Sequence, residues 1–72
     1  MNFKDYLKQI KRLHSLVERK STGTPDQLAR KLNTSRATVF RRVDDLKGLG
    51  AEILYDKDRQ TYYYRDPFQL VL

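Results

Sequence analysis

The chain has 72 residues and no cysteine, and its 15 Lys and Arg outnumber 9 Asp and Glu for a formal charge of +6. A chain near this size hides only roughly 60% of its unfolded surface, so one small domain with a thin core is expected over residues 1–72, with neither disulfides nor a thiolate metal site to supplement it. No apolar run approaches the ~18 residues of a membrane span and the N-terminus lacks a signal-peptide core, which predicts a soluble cytoplasmic protein with no membrane partner.

Phe3, Tyr6, Leu7, Ile10, Leu13, His14 and Val17 recur at helical steps and predict an amphipathic helix over about residues 2–19. Asn2 is placed to cap it and Asp5 lies in its first turn. Lys4, Lys8, Lys11, Arg12 and Arg19 form a basic outer face, which is either simply solvated or set against flanking phosphates. Ser21-Thr22-Gly23 breaks the helix. Thr24 then caps a second one, with Pro25 at its first position and Gln27 placed to complete a capping box. Leu28, Ala29 and Leu32 make its inner face, and Ala29 is small enough for another helix to cross closely.

Asn33 falls where a tight turn needs a left-handed backbone, and Asn tolerates that conformation best among residues with a side chain. Ser35 caps a third helix over about Arg36–Leu49, with Val39, Val43 and Leu46 inward and Gly50 as its C-terminal stop. A short helix, a tight turn and a second helix with arginines on its outer face suit insertion into the major groove of DNA.

Beyond Gly50 the period changes from helical to alternating. Glu52–Tyr55 and Thr61–Tyr64 predict two strands of a hairpin whose tip is Asp56–Gln60. Ile53, Tyr55, Tyr62 and Tyr64 should face the helices, and Leu54 and Tyr63 should lie outside. Asp66-Pro67 closes the hairpin. The apolar tail Phe68, Leu70, Val71 and Leu72 either pairs with a second copy or folds back beside the first helix, and a homodimer through residues 67–72 is the preferred reading.

Charge is unevenly placed. Residues 1–42 carry eleven basic and three acidic side chains, against four and six in residues 43–72, so the parts sum to +8 and −2. A lopsided basic surface favours a polyanion, with nucleic acid the default. Facing away from the core on the third helix are Ala37, Phe40, Arg41 and Asp44, with Arg36 at its start. Arg36, Ala37 and Arg41 are expected at base edges, because the arginine fork matches guanine and alanine suits a thymine methyl. Thr38 and Arg42 are expected on flanking phosphates. Phe40 either packs on sugar or a thymine methyl or folds back onto the domain, the second being preferred. Lys57 and Arg59 reach the backbone or a minor groove, or else form an ordinary charged hairpin tip. Asp44 and Asp45 mark the edge of the phosphate-facing surface and are free to pair with Arg41 or Arg42.

His14 reads as a packed histidine, since no second ligand accompanies it. The tyrosines read mostly as sheet packing. With no Gly-rich phosphate loop, no paired carboxylates and no Ser/His/Asp set, the chain does not read as an enzyme, and no cofactor or metal is expected.

Leu28, Ala29, Leu32, Ser35, Thr38, Val39 and Arg41, followed by Leu46, Gly50, Ile53, Tyr55, Asp56 and Tyr62, resemble the N-terminal DNA-binding domains of bacterial transcription regulators. Such domains head WYL-type regulators and the biotin repressor. The resemblance spans about residues 6–66. It implies a mainly α fold with a small β-hairpin, the winged helix-turn-helix: a three-helix bundle plus a two-stranded wing. It implies sequence-specific binding of double-stranded DNA as a transcriptional regulator. The alternative is a winged helix used for protein association or RNA binding, which would show apolar residues on the exposed face of the third helix. Two departures from the pattern stand out. Asn33-Thr34 replaces Gly-Val in the turn, burying a hydroxyl, and Gln60-Thr61 replaces paired glycines before the second wing strand.

Overall fold

Polar caps start each helix of the computed structural model, which describes every residue from Met1 to Leu72. Three helices, α1 (Phe3–Glu18), α2 (Pro25–Lys31) and α3 (Arg36–Gly48), precede an antiparallel hairpin of β1 (Ile53–Asp56) and β2 (Thr61–Tyr64). Asn2 Oδ1 accepts the Asp5 N–H at 2.9 Å and Ser35 Oγ accepts that of Thr38 at 3.2 Å. At α2 the capping box is complete: Thr24 Oγ1 accepts the Gln27 N–H and Gln27 Oε1 accepts the Thr24 N–H. Gly23 makes room for it, because a Cβ there would collide with the Gln27 carboxamide.

All three helices end in the same way. Lys20 (φ 55°), Asn33 (φ 54°) and Gly50 (φ 106°) turn left-handed one residue beyond each C-cap. The next N–H then returns to a carbonyl five residues back: Ser21 to Leu16, Thr34 to Ala29, Ala51 to Leu46. Asn33 and Gly50 were expected to turn this way. Lys20 was not, and a non-glycine residue there costs about 1–2 kcal/mol.

The helical stripes meet in one core of Ile10, Leu13, Leu16, Val17, Leu28, Ala29, Leu32, Val39, Val43 and Leu46, closed by Ala51, Ile53 and Tyr62. Phe3 corrects the expected stripe. It is 74% exposed, because the first turn of α1 overhangs the bundle, and its ring stacks instead on Tyr6 with centroids 6.4 Å apart. Leu16, outside the expected stripe, is buried. Thr34 is only half-buried, and no buried side-chain N or O atom lacks a hydrogen-bond partner.

The wing pairs Ile53 with Tyr64, Leu54 with Tyr63, Tyr55 with Tyr62 and Asp56 with Thr61. As alternation predicts, Ile53 and Tyr62 are buried, Tyr55 and Tyr64 pack against the core, and Leu54 is exposed, whereas Tyr63, expected outside, is half-buried. At the tip, Asp56 Oδ1 accepts the N–H groups of Asp58 and Arg59, and Gln60 (φ 53°) adopts the left-handed conformation a glycine would have taken. Thr22 does more than interrupt a helix. Fully buried, it gives its N–H to Thr61 Oγ1 at 3.2 Å, and its own Oγ1 accepts the Tyr62 N–H at 2.8 Å. It thereby stitches the α1–α2 turn to the edge of β2.

The C-terminal tail divides. Phe68 and Leu70 fold back against the core, with the Phe68 ring 6.0 Å from His14 and 5.4 Å from Tyr64. Val71 and Leu72 remain exposed. A groove of about 700 Å³ runs between this tail, Tyr64 and the second half of α1.

Candidate nucleic-acid interface

With Val39, Val43 and Leu46 turned inward, the helical rotation of about 100° per residue leaves Ala37, Phe40, Arg41 and Asp44 on the solvent side of α3, and all four are exposed. Arg36 occupies the first helical position, where free backbone N–H groups favour an anion. Its guanidinium lies 5.5 Å from the Phe40 ring centroid and 3.8 Å from Asp26 Oδ1. The Asp26 pair is exposed on both sides and therefore weak. The ion pairs of α3 are Arg36–Asp26 and Arg42–Asp45, so Arg41 carries an uncompensated positive charge.

Phe40 does not fold back. Its side stands open to solvent between Arg36 and Arg41, since the inner face of α3 is already filled. Thr38 is half-buried, and its Oγ1 accepts the Ser35 hydroxyl at 3.0 Å.

Arg42 differs in its surroundings from Arg36 and Arg41. Expected on a phosphate, it turns toward α1 and its side chain is only 14% exposed. Nε donates to Gln9 Oε1 at 3.1 Å, a terminal nitrogen donates to Asp45 Oδ2 at 3.2 Å, and the guanidinium lies 4.6 Å over the Tyr6 ring. The Tyr6 hydroxyl donates to the same Asp45 oxygen at 2.7 Å. That hydrogen bond raises the Tyr6 pKa most, ahead of burial and the Asp45 charge, while Arg42 pulls it down. Arg42 is a strut between α1 and α3.

The wing packs on α1 through β2. Burial raises the Tyr62 pKa, the neighbouring Tyr55 adds to the rise, and the Arg36 charge opposes it. Lys57 and Arg59 are exposed at the tip, Arg59 with its Nε 3.9 Å from Asp56. Lys20, from the end of α1, joins Arg59, Asp56, Thr61 and Tyr63 around a hollow of about 220 Å³ at the wing. Lys20 was not expected here, because its turn reaches the wing only once α1 is packed on β2 and Thr22 is bonded to Thr61 and Tyr62. On the outer side of α1, Lys4, Lys8 and Lys11 are exposed. Arg12 and Arg19 are exposed as well, and donate to the backbone carbonyls of Lys31 and Ser15.

His14 is packed, its Nδ1 2.8 Å from the Tyr64 hydroxyl and its Nε2 3.7 Å from Glu18. Burial pushes the Tyr64 phenol up to about 12, with Glu18 adding to the rise. No three His, Cys, Asp or Glu side chains are grouped to hold a metal ion. No helix is long and apolar enough to cross a membrane.

A protein family described as HTH domain matches residues 7–65, which takes in all three helices from Leu7 onward and the whole wing. No curated protein and no solved structure matches the chain.

Proposed function

Because this chain belongs to the helix-turn-helix (HTH) domain family, a DNA-binding fold in its winged form, we propose that it recognises duplex DNA sequence-specifically as a transcriptional regulator of bacterial type. The observation that carries the reading is the exposed row Arg36, Ala37 and Arg41 on α3, set opposite a closed core. In this reading α3 enters the major groove, Arg36 and Arg41 fork onto guanine O6 and N7, and Ala37 lets the helix approach closely. Thr38 at the helix start and Lys57, Arg59 and Lys20 around the wing take backbone phosphates. Arg42 takes no part in contact. The regulator works in the cytoplasm, where a bacterial chromosome lies.

A single recognition helix touches too few base pairs to single out one site in a genome, so the reading includes a homodimer on two half-sites about one helical turn apart. The exposed Val71 and Leu72 at the end of the tail support that part. Phe68 and Leu70 do not, since the monomer's own core uses them.

Gel retardation across a salt series tests the reading. With ~5 phosphates neutralised, log K falls against log salt with a slope of about −4 to −5. A flat dependence, or no retarded duplex at low salt, overturns it. Equal affinity for duplex RNA would favour the alternative.

A further inference from the structure

We propose that Phe40 reads the 5-methyl group of a thymine next to the guanine contacted by Arg36, which makes it a specificity-determining residue of α3. The proposal rests on the DNA reading above and adds an apolar element to it.

Phe40 is 43% exposed although the inner face of α3 is filled by Val39, Val43 and Leu46. The other large exposed apolar side chains are Met1, Phe3, Leu49, Leu54, Val71 and Leu72, and none of them lies within α3. Phe40 alone stands among the outward arginines. Hydrating an aromatic ring on a charged helix face is unfavourable, and covering it with something apolar recovers that free energy. In the major groove the apolar feature of the base edges is the thymine C5-methyl group.

Arg36 sets where that methyl must be. Its guanidinium lies 5.5 Å from the Phe40 centroid, an arrangement attractive through the ring's quadrupole, with the exposed Asp26 carboxylate 3.8 Å away. The two side chains thus present a fork and a ring edge side by side on the same exposed turn of α3. Successive bases on a strand rise by about 3.4 Å, so two tips this close reach adjacent base pairs. A guanine under the fork places the methyl on its immediate neighbour. The stack also covers one face of the ring, leaving edge and opposite face for the methyl.

The test uses duplexes enriched from a random pool by the intact protein, with each thymine exchanged singly for deoxyuridine, which removes the methyl and nothing else. At one thymine adjacent to a guanine the wild-type protein should lose about fourfold in affinity, the worth of one buried methyl. Phe40→Ala should bind the thymine and deoxyuridine duplexes alike, with its thermal melt showing an intact fold. Phe40→Leu, which keeps apolar surface at the position, should retain the preference. An enriched duplex whose every deoxyuridine form binds equally well overturns the inference and leaves the DNA reading standing. So does Phe40→Ala with the wild-type sensitivity, which would assign the methyl to Ala37. A pool from which no duplex is enriched overturns the DNA reading and this inference together.

Discussion

On the α1 side of α3, Arg42 is gripped by Gln9, Asp45 and the ring of Tyr6, whereas on the solvent side its chain neighbour Arg41 enters no ion pair. The residue type is the same and the positions are consecutive, so the difference comes from rotation alone. One step of about 100° carries a guanidinium from open water to a half-dry crevice. There it must be matched by acceptors and an aromatic face, because a poorly hydrated charge is costly when unpaired. Once matched, it ties α3 to α1 at a set roll about the helix axis. The inner face of α3 therefore does more than fill the core. By holding the roll, it determines that Arg36, Ala37, Phe40 and Arg41 are the residues turned outward.

Removing each arginine separates the two roles. Arg42→Ala should lower stability by about 2–3 kcal/mol in a denaturant melt, since it leaves Asp45 and Gln9 without a charged hydrogen-bond donor. A melt unchanged within ~0.5 kcal/mol would mean that the strut bears no weight. Arg41→Ala should do the reverse. Stability stays within ~0.5 kcal/mol, while affinity for the preferred duplex drops by about 1–3 kcal/mol and base preference relaxes at one position. Should Arg41→Ala destabilise the fold and spare binding, the assignment of faces is inverted.

Smaller effects sharpen the contrast between base-reading and phosphate-contacting charge. Lys57→Ala at the wing tip should weaken all sequences alike and shallow the salt slope by roughly one unit. A loss confined to one sequence would move Lys57 from the backbone to a base edge. The last prediction concerns Tyr64, where the tail and β2 meet α1. Its folded pKa, raised to about 12, lies above the ordinary tyrosine value, so the unfolded chain gives up the proton first as pH rises. Its contribution is complete below about pH 10 and is lost progressively toward pH 12. A melting temperature that declines over that window in the wild type, and less in Tyr64→Phe, is the expected result. Identical profiles would place the alkaline loss elsewhere.

What could be read from the chain alone is what acts over a few residues. The caps Asn2, Thr24 with Gln27, and Ser35 each satisfy an N–H three positions on, and Gly50 needs no neighbour to turn left-handed. The alternation Ile53, Tyr55, Tyr62, Tyr64 set the face of the hairpin, because successive strand residues must point oppositely. The outward row of α3 followed from the spacing of Val39, Val43 and Leu46.

Tertiary packing decided the rest. Phe3 has a helical spacing that fits the core, yet its exposure depends on where the bundle ends. Arg42 and Gln9 are 33 positions apart, and Thr22 and Thr61 are 39 apart, so their pairing exists only after α1 is laid against α3 and β2. Lys20 turns left-handed without glycine's freedom because Ser21 and Thr22 must leave α1 toward the wing, and packing there outweighs the local cost. Phe40 is the sharpest case. Its identity argues for burial, and only the filled inner face of α3 and the Arg36 stack left it standing in the open. Local hydrogen bonds and side-chain periodicity are properties of neighbours along the chain, but which long side chain meets which partner is a property of helices already docked.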